Sequence, residues 1–498
     1  MNNLSWGIVT LLCASLGYGV SWRFHRHGHY ARAILLLILS GLALYVYVSA
    51  DFFLHAWDER YHALVAKNLM NHPLRPTLYE HPVLPYDYRN WAANHIWLHK
   101  QPLPLWGMAA SMWLFGVNEM ALRLPSIILA STATFLVFSV GSYLFDRRIG
   151  YFAAFLFSIN GLVISLVGGR TATDHVDIFF MFFILLSIYL SIQFITYEKS
   201  VFSILVGISI GLAILSKWLP ALIVLPVWLL LVWDCRKFTV KTMAAQFVLI
   251  VLVLTAVFLP WQIYIHAVFP EEALAESRHN IRHLFEALDG HSTTVFYFLN
   301  RIRVNYGELI YLPLGWFAWK YCRNFKNGKR LALIIWFLVP FLFFSMARTR
   351  MQAYLLFTAP ALFYMTAECF YDMAEYRSGH RFKHLLTVIL SLFIILPVRY
   401  GIERLTILEI KDRHPQWVRD LQNLQEKNIA NGVLFNYNHP IEAMFYTDLT
   451  AYPQIPDRQT ISDLIRRGYT VVINDLGTVP AEIMEMEEVV RVELTGAD

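Results

Sequence analysis

Residues 33–62 read AILLLILSGLALYVYVSADFFLHAWDERYH and join two features that decide the fold. The first part, residues 33–54, is an apolar run long enough to cross the hydrocarbon core of a bilayer, which is about 30 Å thick. The second part places two adjacent carboxylates, Asp58 and Glu59, just after that run. The stretch therefore predicts a membrane-spanning helix that delivers an acidic pair to one membrane surface.

The composition of the 498-residue chain extends this pattern over most of its length. Hydrophobic residues make up 57% and charged residues 15%, whereas about a quarter of a typical soluble domain is charged. The first apolar run, Leu4 to Trp22, lacks the flanks of a cleaved signal peptide and is interpreted as a retained helix. We expect about twelve transmembrane helices (range about 11–13), near residues 4–22, 33–54, 121–145, 149–168, 176–196, 201–216, 218–233, 243–268, 305–319, 331–346, 353–373 and 384–401.

The positions of the basic residues set the predicted topology. They cluster in loops such as Arg147-Arg148 and Arg236-Lys237, and an even number of predicted spans separates successive clusters. If these loops are cytoplasmic, residues 55–120, residues 269–304 and everything after 401 lie outside. The four cysteines fall in apolar runs or beside the basic loops, where thiols stay reduced, so we expect no disulfide.

The segments predicted to lie outside have structure of their own. In the first outer loop, residues 62–70 predict a short helix and residues 103–115 an apolar segment at the membrane interface. The tail carries a polar helical stretch at 417–428, followed by a strand–helix–strand pattern at 433–438, 439–447 and 469–474. These patterns predict a transmembrane catalytic domain over 1–401 and a small extracytoplasmic α/β domain over 402–498.

Acidic residues at two predicted outer helix ends are candidates for catalysis. Asp58 and Glu59 lie directly after a span, and Asp174 ends the stretch Gly168-Gly169-Arg170-Thr171-Ala172-Thr173-Asp174. Arg170 in that stretch is a candidate phosphate contact, because guanidinium suits phosphate oxygens. The alternative for the acidic pair is a solvated loop end near lipid headgroups.

Two lysines are candidates for binding a phosphate. Lys100, in His99-Lys100-Gln101-Pro102, lies at the mouth of an apolar segment, although snorkelling to headgroups explains such a lysine equally well. Lys217 interrupts two apolar runs with no local charge to pair it. An intramembrane lysine is costly and is by default a candidate for a functional site.

The remaining candidates lie further along the chain. Arg282 and Arg348 add guanidinium groups, and Tyr354 adds a phenol, on the same predicted side of the membrane. His279 and His283 are four residues apart and would share one helix face at a spacing compatible with a divalent ion. Structural or solvated histidines are the alternative.

These motifs resemble the class-C membrane glycosyltransferases, which include the protein O-mannosyltransferases and the bacterial lipid A aminoarabinose transferases. The resemblance covers most of the chain in the same order. The acidic pair looks like the family's pair in its first outer loop, and residues 99–102 resemble the sequence Glu-Lys-Pro-Pro of the aminoarabinose transferases. Further resemblances involve Arg123-Leu124-Pro125-Ser126, Arg170–Asp174, His279-Asn280-Ile281-Arg282, and Tyr354 before Pro360.

The resemblance implies roles for individual residues. Asp58 would be the main catalytic carboxylate and Asp174 a second acid, while Lys100 and Lys217 would contact the donor phosphate. His99 replaces an acid that contributes to a metal site in the transferases, which puts metal dependence in doubt. His99 with His279 would still offer two nitrogen ligands to a divalent ion, and such ligands favour a transition metal over magnesium.

The predicted function is transfer of a hexose or pentose from a polyprenyl-phosphate donor, with inversion, to a lipid A-like lipid, a glycan or a protein. The enzyme would lie in the cytoplasmic (inner) membrane among membrane lipids, with its active site on the periplasmic or extracytoplasmic side and no nucleic-acid partner. A transporter or flippase of a lipid-linked sugar is the alternative, but the sequence shows no paired halves, which many transporters have. A receptor-like membrane protein would leave Lys217 and Asp174 unexplained.

Overall fold

The computed structural model describes residues 3–288, 293–325, 327–377, 382–409, 411–477 and 479–496. The chain divides into two compact units. The helical unit comprises residues 1–49, 100–104 and 123–410, and the α/β unit comprises residues 50–99, 105–122 and 411–498. The first predicted outer loop thus shares a unit with the tail, whereas the sequence predicted a single boundary at residues 401–402.

Helices account for most of the described chain. The α-helices in chain order are α1 Asn3–Arg26, α2 Tyr30–Ser49, α3 Asp58–Leu69, α4 Pro102–Phe115, α5 Glu119–Leu144, α6 Arg147–Ser158, α7 Gly161–Val167, α8 Asp174–Tyr197, α9 Ser200–Lys217, α10 Val224–Asp234, α11 Val240–Val268, α12 Pro270–Phe285, α13 Tyr297–Tyr306, α14 Tyr311–Arg323, α15 Gly328–Met346, α16 Ala359–Arg377, α17 Lys383–Leu405, α18 Gln416–Glu426, α19 Pro440–Tyr446, α20 Arg458–Arg466 and α21 Ala481–Met484. Two 3-10 helices, Leu219–Ile223 and Gln352–Thr358, precede α10 and α16.

The helical unit has the many apolar helices expected of a polytopic membrane protein. Within the described ranges, nine helices are long and apolar enough to cross a membrane, or ten if the bent pair α6–α7 forms one span. Two predicted spans, 218–233 and 305–319, form shorter helices instead. A 3-10 segment containing Pro220 precedes α10, and Gly307, with φ 123°, separates α13 from α14.

The predicted span at 149–168 is bent because a side chain starts a new helix inside it. Asn160 accepts hydrogen bonds from the backbone N–H groups of Leu162 and Val163, both at 3.1 Å, and so caps the N-terminus of α7. The two helix axes differ in direction by 50°. A hydropathy profile does not detect this break, since the cap is one polar residue in an apolar run.

Glycines bring α9 and α11 into close contact. Gly207 and Gly211 are four residues apart on α9, and a Cβ atom at either position would lie within 3.0 Å of side-chain atoms of Val253 or Val257 on α11. Small residues at this spacing are typical of membrane helix pairs, because they let the backbones approach. The close approach fixes α9, whose last residue is Lys217.

The α/β unit contains the predicted sheet. Its four strands, β1 Gly432–Phe435, β2 Thr450–Ala451, β3 Thr470–Asn474 and β4 Val490–Val492, are all parallel in the order β2-β1-β3-β4. Strands β1 and β3 and helix α19 confirm the strand–helix–strand prediction. Strands β2 and β4 were missed, because two or three residues are too few to show a period.

We predict that Gly211→Leu lowers the melting temperature of the protein in detergent. The new Cβ would lie 2.6 Å from Cβ of Val257, and such overpacking costs about 1–3 kcal/mol. Gly315→Leu on α14 is the matched control, since a Cβ there meets no atom within 4 Å. Equal melting temperatures for the two variants would contradict the packing interpretation.

Candidate functional site

The helical unit contains a buried ion pair between the ends of two helices. Lys217, the last residue of α9, places its Nζ 2.5 Å from Oδ1 of Asp177 in the first turn of α8. The Asp177 side chain is 1% exposed and the Lys217 side chain 19% exposed. The sequence offered Lys217 no local partner; the structure supplies one that lies forty residues earlier in the chain.

Other candidate residues surround this pair. The Nζ of Lys217 lies 4.6 Å from the centre of the Tyr354 ring, within the range of a cation–π interaction. The hydroxyl of Thr173 donates a hydrogen bond to Oδ2 of Asp177. Lys100 also lies close enough to interact electrostatically with Asp177. Lys100, Lys217 and Tyr354, three predicted phosphate contacts, therefore gather around an acid that the sequence reasoning did not single out.

Asp174 begins α8 one turn before Asp177. It is fully buried, and its Oδ1 accepts a hydrogen bond from the backbone N–H of His175. Thr173 and Asp174 have left-handed backbone angles, with φ of 71° and 25°. Such angles in non-glycine residues cost about 1–3 kcal/mol each and cluster at functional sites.

The start of α8 is held by the block that contains Arg123. His175 places Nδ1 2.9 Å from Oγ of Ser126. Arg123 is fully buried and donates from Nη1 to the backbone carbonyl of Ser49 at 2.8 Å. Ser126 therefore contacts the start of α8, and Arg123 contacts the end of α2.

The acidic pair lies in the α/β unit at the N-terminus of α3. Asp58 is 8% exposed and Glu59 is fully buried. Oε2 of Glu59 accepts a hydrogen bond from the backbone N–H of His55 at 2.6 Å and so closes the turn before the helix. Trp57, which precedes Asp58, has φ 75° and ψ −132°, a strained conformation for a bulky residue. Glu59 thus has a structural contact, and the catalytic roles of Asp58 and Glu59 stay predictions.

The structure places the three predicted arginines in different surroundings. Arg170 donates to Oγ1 of Thr406 at 2.9 Å and to the carbonyl of Arg404 at 3.3 Å, at the C-terminus of α17. Arg282 is half-exposed and forms an ion pair with Glu286 at 2.7 Å. Arg348 is exposed. None of these contacts joins them to Asp177, and their role at phosphate stays a prediction.

The two histidines proposed as metal ligands contact aromatic rings. His99 stacks on Trp91 with ring centres 4.5 Å apart and an angle of 8°. His279 meets His283 edge to face at 4.9 Å. Over the described ranges, no group of three or more His, Cys, Asp or Glu side chains is arranged to hold a metal ion. Metal dependence therefore stays a prediction.

Asp177 is the main residue that the sequence reasoning missed. Its signal was present, since Asp174 and Asp177 are three residues apart and lie in the same first turn of an apolar helix. A second acid in such a position is costly without a cation, and Lys217 was an intramembrane cation that the local sequence did not explain. Pairing intramembrane charges of opposite sign before assigning roles would have found the contact.

Comparisons with known proteins agree with this architecture. The family model for dolichyl-phosphate-mannose-protein mannosyltransferase matches residues 99–261, a range that contains Lys100, Asp174, Asp177 and Lys217. An uncharacterized protein of Aquifex aeolicus is 28% identical over 374 residues, which are 73% of this chain and 68% of that protein.

The undecaprenyl phosphate-alpha-4-amino-4-deoxy-L-arabinose arabinosyl transferase 1 of Pseudomonas fluorescens is 23% identical over 279 residues. These are 53% of this chain and 49% of that enzyme, so the chain spans about half the length of this relative.

Two solved proteins have similar structures. ArnT from Cupriavidus metallidurans in the apo state aligns with a TM-score of 0.62 and 14% identity, covering 91% of this chain and 95% of that one. Its complex with undecaprenyl phosphate aligns with a TM-score of 0.60 and 14% identity, covering 92% of this chain and 89% of that one. The second protein is the oligosaccharyltransferase AglB from Archaeoglobus fulgidus, in complex with an inhibitory peptide and a dolichol-phosphate. It aligns with a TM-score of 0.56 and 14% identity, covering 86% of this chain and 65% of that one.

The fold and site therefore define an integral membrane protein with the GT-C fold, the fold of class-C glycosyltransferases. In sequence it resembles the protein O-mannosyltransferases and the aminoarabinose transferases.

We predict strong coupling between Asp177 and Lys217 in stability. Asp177→Leu or Lys217→Met alone breaks the buried ion pair and should destabilise the protein by about 3–5 kcal/mol. The double variant removes both charges and should recover part of that loss. Unfolding of the wild type and the three variants in one detergent gives the coupling energy, and additive losses would show that the two charges do not stabilise each other.

Proposed function

We propose that this chain is a glycosyltransferase that moves a sugar from a polyprenyl-phosphate donor to an acceptor outside the cytoplasm. The observation that carries the proposal is the buried Asp177–Lys217 pair with Tyr354 and Lys100 beside it. All but Tyr354 lie in the range that resembles a lipid-phosphate-sugar transferase.

The relatives support the choice of donor. The arabinosyl transferase is named for an undecaprenyl phosphate sugar, and ArnT was solved with undecaprenyl phosphate bound. The sugar in our proposal is a hexose or pentose, and the acceptor is a lipid A-like lipid, a glycan or a protein. The enzyme would lie in the cytoplasmic (inner) membrane with its site and α/β unit on the periplasmic or extracytoplasmic side.

The leaving group explains the need for cations. As the bond between the sugar's anomeric carbon and the phosphate oxygen breaks, its electron pair stays on the phosphate, which gains negative charge. Positioned ammonium groups stabilise that charge more in the transition state than in the ground state. Lys217 keeps its place through Asp177, and an ammonium with three donors can also serve a phosphate oxygen.

The arginines would extend this phosphate site. Arg348 is exposed, whereas Arg170 and Arg282 would first have to exchange their contacts with Thr406 and Glu286. We therefore assign the main phosphate contacts to Lys100 and Lys217 and give the arginines secondary roles.

Asp58 would act on the acceptor. If the acceptor is a hydroxyl, its oxygen forms the new bond to the anomeric carbon while its proton passes to the Asp58 carboxylate, acting as general base. Direct displacement inverts the anomeric configuration. If the acceptor is a phosphate, no base is needed, and Asp58 would orient the sugar instead.

We predict that Asp58→Asn abolishes transfer in vesicles supplied with a polyprenyl-phosphate sugar, because the amide cannot accept the proton. The measurement is release of free polyprenyl phosphate together with labelled product, which a flippase would not generate. Asp87→Asn is the control, since Asp87 is an exposed acid of the same loop. Near-wild-type turnover of Asp58→Asn in folded, inserted protein would remove Asp58 from the mechanism.

We also predict that Lys100→Met raises the KM for the donor about tenfold or more, because a hydrogen bond to a charged group contributes about 1.5–3 kcal/mol. Initial rates at several donor concentrations give this value. Lys427→Met, at an exposed lysine of the tail, should leave the KM unchanged. Unchanged donor kinetics in Lys100→Met would show that Lys100 only reaches toward lipid headgroups.

A further inference from the structure

Helix α3, which begins with Asp58, lies beside helix α19 of the C-terminal sheet within the α/β unit. Contacts join the two helices at both ends. Helix α19 follows strand β1, and its residues Ile441, Ala443 and Phe445 are buried in the hydrophobic core of the unit. The position of α19 is thus set by the sheet, and α3 is attached to it.

Lys67 joins the C-terminal ends of the two helices. Its Nζ donates to the backbone carbonyls of Met444, Phe445 and Thr447 at 3.0, 3.1 and 2.8 Å. Carbonyls at the end of a helix lack partners within the helix, and a cation there is favourable. Burial lowers the pKa of Lys67, and the nearby Asp448 opposes that shift. The three hydrogen bonds therefore attach the Lys67 side chain to the end of α19.

Arg60 joins the N-terminal ends of the same helices. Its Nη1 donates to Oε1 of Glu442 at 3.1 Å, and the Glu442 side chain is 4% exposed. Burial opposes ionisation of Glu442, but the contact with His439 and the charge of Arg60 outweigh it and hold its pKa below the ordinary value. An ionised, buried carboxylate therefore faces the first turn of α3.

Tyr446 fixes the segment that leads into α3. Its hydroxyl donates to Oε1 of Glu119 at 2.5 Å and accepts a hydrogen bond from the backbone N–H of Leu54 at 3.1 Å. Leu54 lies four residues before Asp58. Helix α19 and the residue that ends it thus contact the first turn of α3, the last turn of α3 and the segment that precedes α3.

We propose that Glu442, Tyr446 and the C-terminal carbonyls of α19 are positioning elements for Asp58, and that holding α3 is the role of the C-terminal α/β domain in transfer. This inference rests on the proposed function and adds to it. A helix held at both ends can neither slide nor rotate, so the direction of the Asp58 carboxylate is fixed by residues almost four hundred positions later in the chain.

The backbone before Asp58 shows why such support is needed. Trp57 has φ 75° and ψ −132°, and a strained conformation persists only when its surroundings over-determine it. A shift of about 1 Å in a reacting group can reduce a rate about a hundredfold. Loosening α3 should therefore affect turnover before it affects donor binding.

The test uses full-length protein in vesicles with a polyprenyl-phosphate sugar and three variants. Glu442→Gln keeps the shape but removes the charge, Lys67→Met removes the donors, and Tyr446→Phe removes one hydroxyl. We expect kcat to fall about tenfold with the donor KM within about twofold of wild type. Hydrogen exchange of residues 58–69 should rise, and kcat, measured well below the melting temperature of each variant, should fall more than the change in melting temperature accounts for.

The control is an exposed ion pair in the same unit. Asp463→Asn breaks the contact between Arg466 and Asp463 on α20 and should change neither kcat nor exchange in α3. Wild-type kcat in all three variants would overturn the inference, and so would a loss of kcat that only follows the melting temperature. If Asp58→Asn itself keeps its turnover, the proposed role of Asp58 fails, whereas inactive Asp58→Asn beside fully active Glu442→Gln, Lys67→Met and Tyr446→Phe refutes the positioning role alone.

Discussion

The contact between Lys217 and Asp177 is the constraint on which the helical unit depends. A charge among apolar helices is costly unless it is paired, and these two side chains pair only if the end of α9 meets the start of α8. Each charge also suits its own helix, because an acid is favoured in the first turn and a cation in the last. The glycine contact of α9 with α11 fixes the same helix from another side. Fold and site are therefore stabilised by the same geometry.

Strained backbone accompanies the candidate residues in both units. Trp57 precedes Asp58, Thr173 precedes Asp174, and Trp218 follows Lys217 with φ 86° and ψ −161°, a region that is essentially restricted to glycine. Other left-handed residues, such as Glu198 and Thr406, are ordinary ends of helices. Trp57 and Trp218 therefore adopt unfavourable backbone conformations next to Asp58 and Lys217. We infer that the direction of these two candidate side chains is obtained at a cost in local stability.

Most of the fold could be predicted from the sequence because it depends on local hydropathy. Each predicted span in the described ranges contains helix, although some are broken or shorter than predicted, and strands β1 and β3 are apolar enough to detect. The bend at Asn160 escaped detection, because it depends on one cap inside an apolar run. The association of residues 50–99 with the tail also escaped, since it depends on contacts such as Arg60 with Glu442 that join distant parts of the chain.

Contacts between distant parts of the chain were also the feature of the candidate site that the sequence could not predict. Lys100, Lys217 and Tyr354 were predicted from their chemistry and position, and the structure gathers them around Asp177. What the sequence could not provide was the pairing of charges, because an ion pair between two helices leaves no periodic signal. Two of the arginines show the opposite case. Arg170 and Arg282 could bind phosphate by their chemistry, but in the structure they contact Thr406 and Glu286.

A second charge network in this helical unit also pairs acids with cations. Lys320 lies 2.8 Å from Glu368 and 2.6 Å from Asp372 on α16, and Arg330 also pairs with Glu368. Tyr354 lies in the 3-10 helix that leads into α16, 14 residues before Glu368 and 18 before Asp372, with the apolar first part of α16 between them. Tyr354 and this network therefore lie at the two ends of one continuous segment, the 3-10 helix and α16, and each end contacts a lysine side chain.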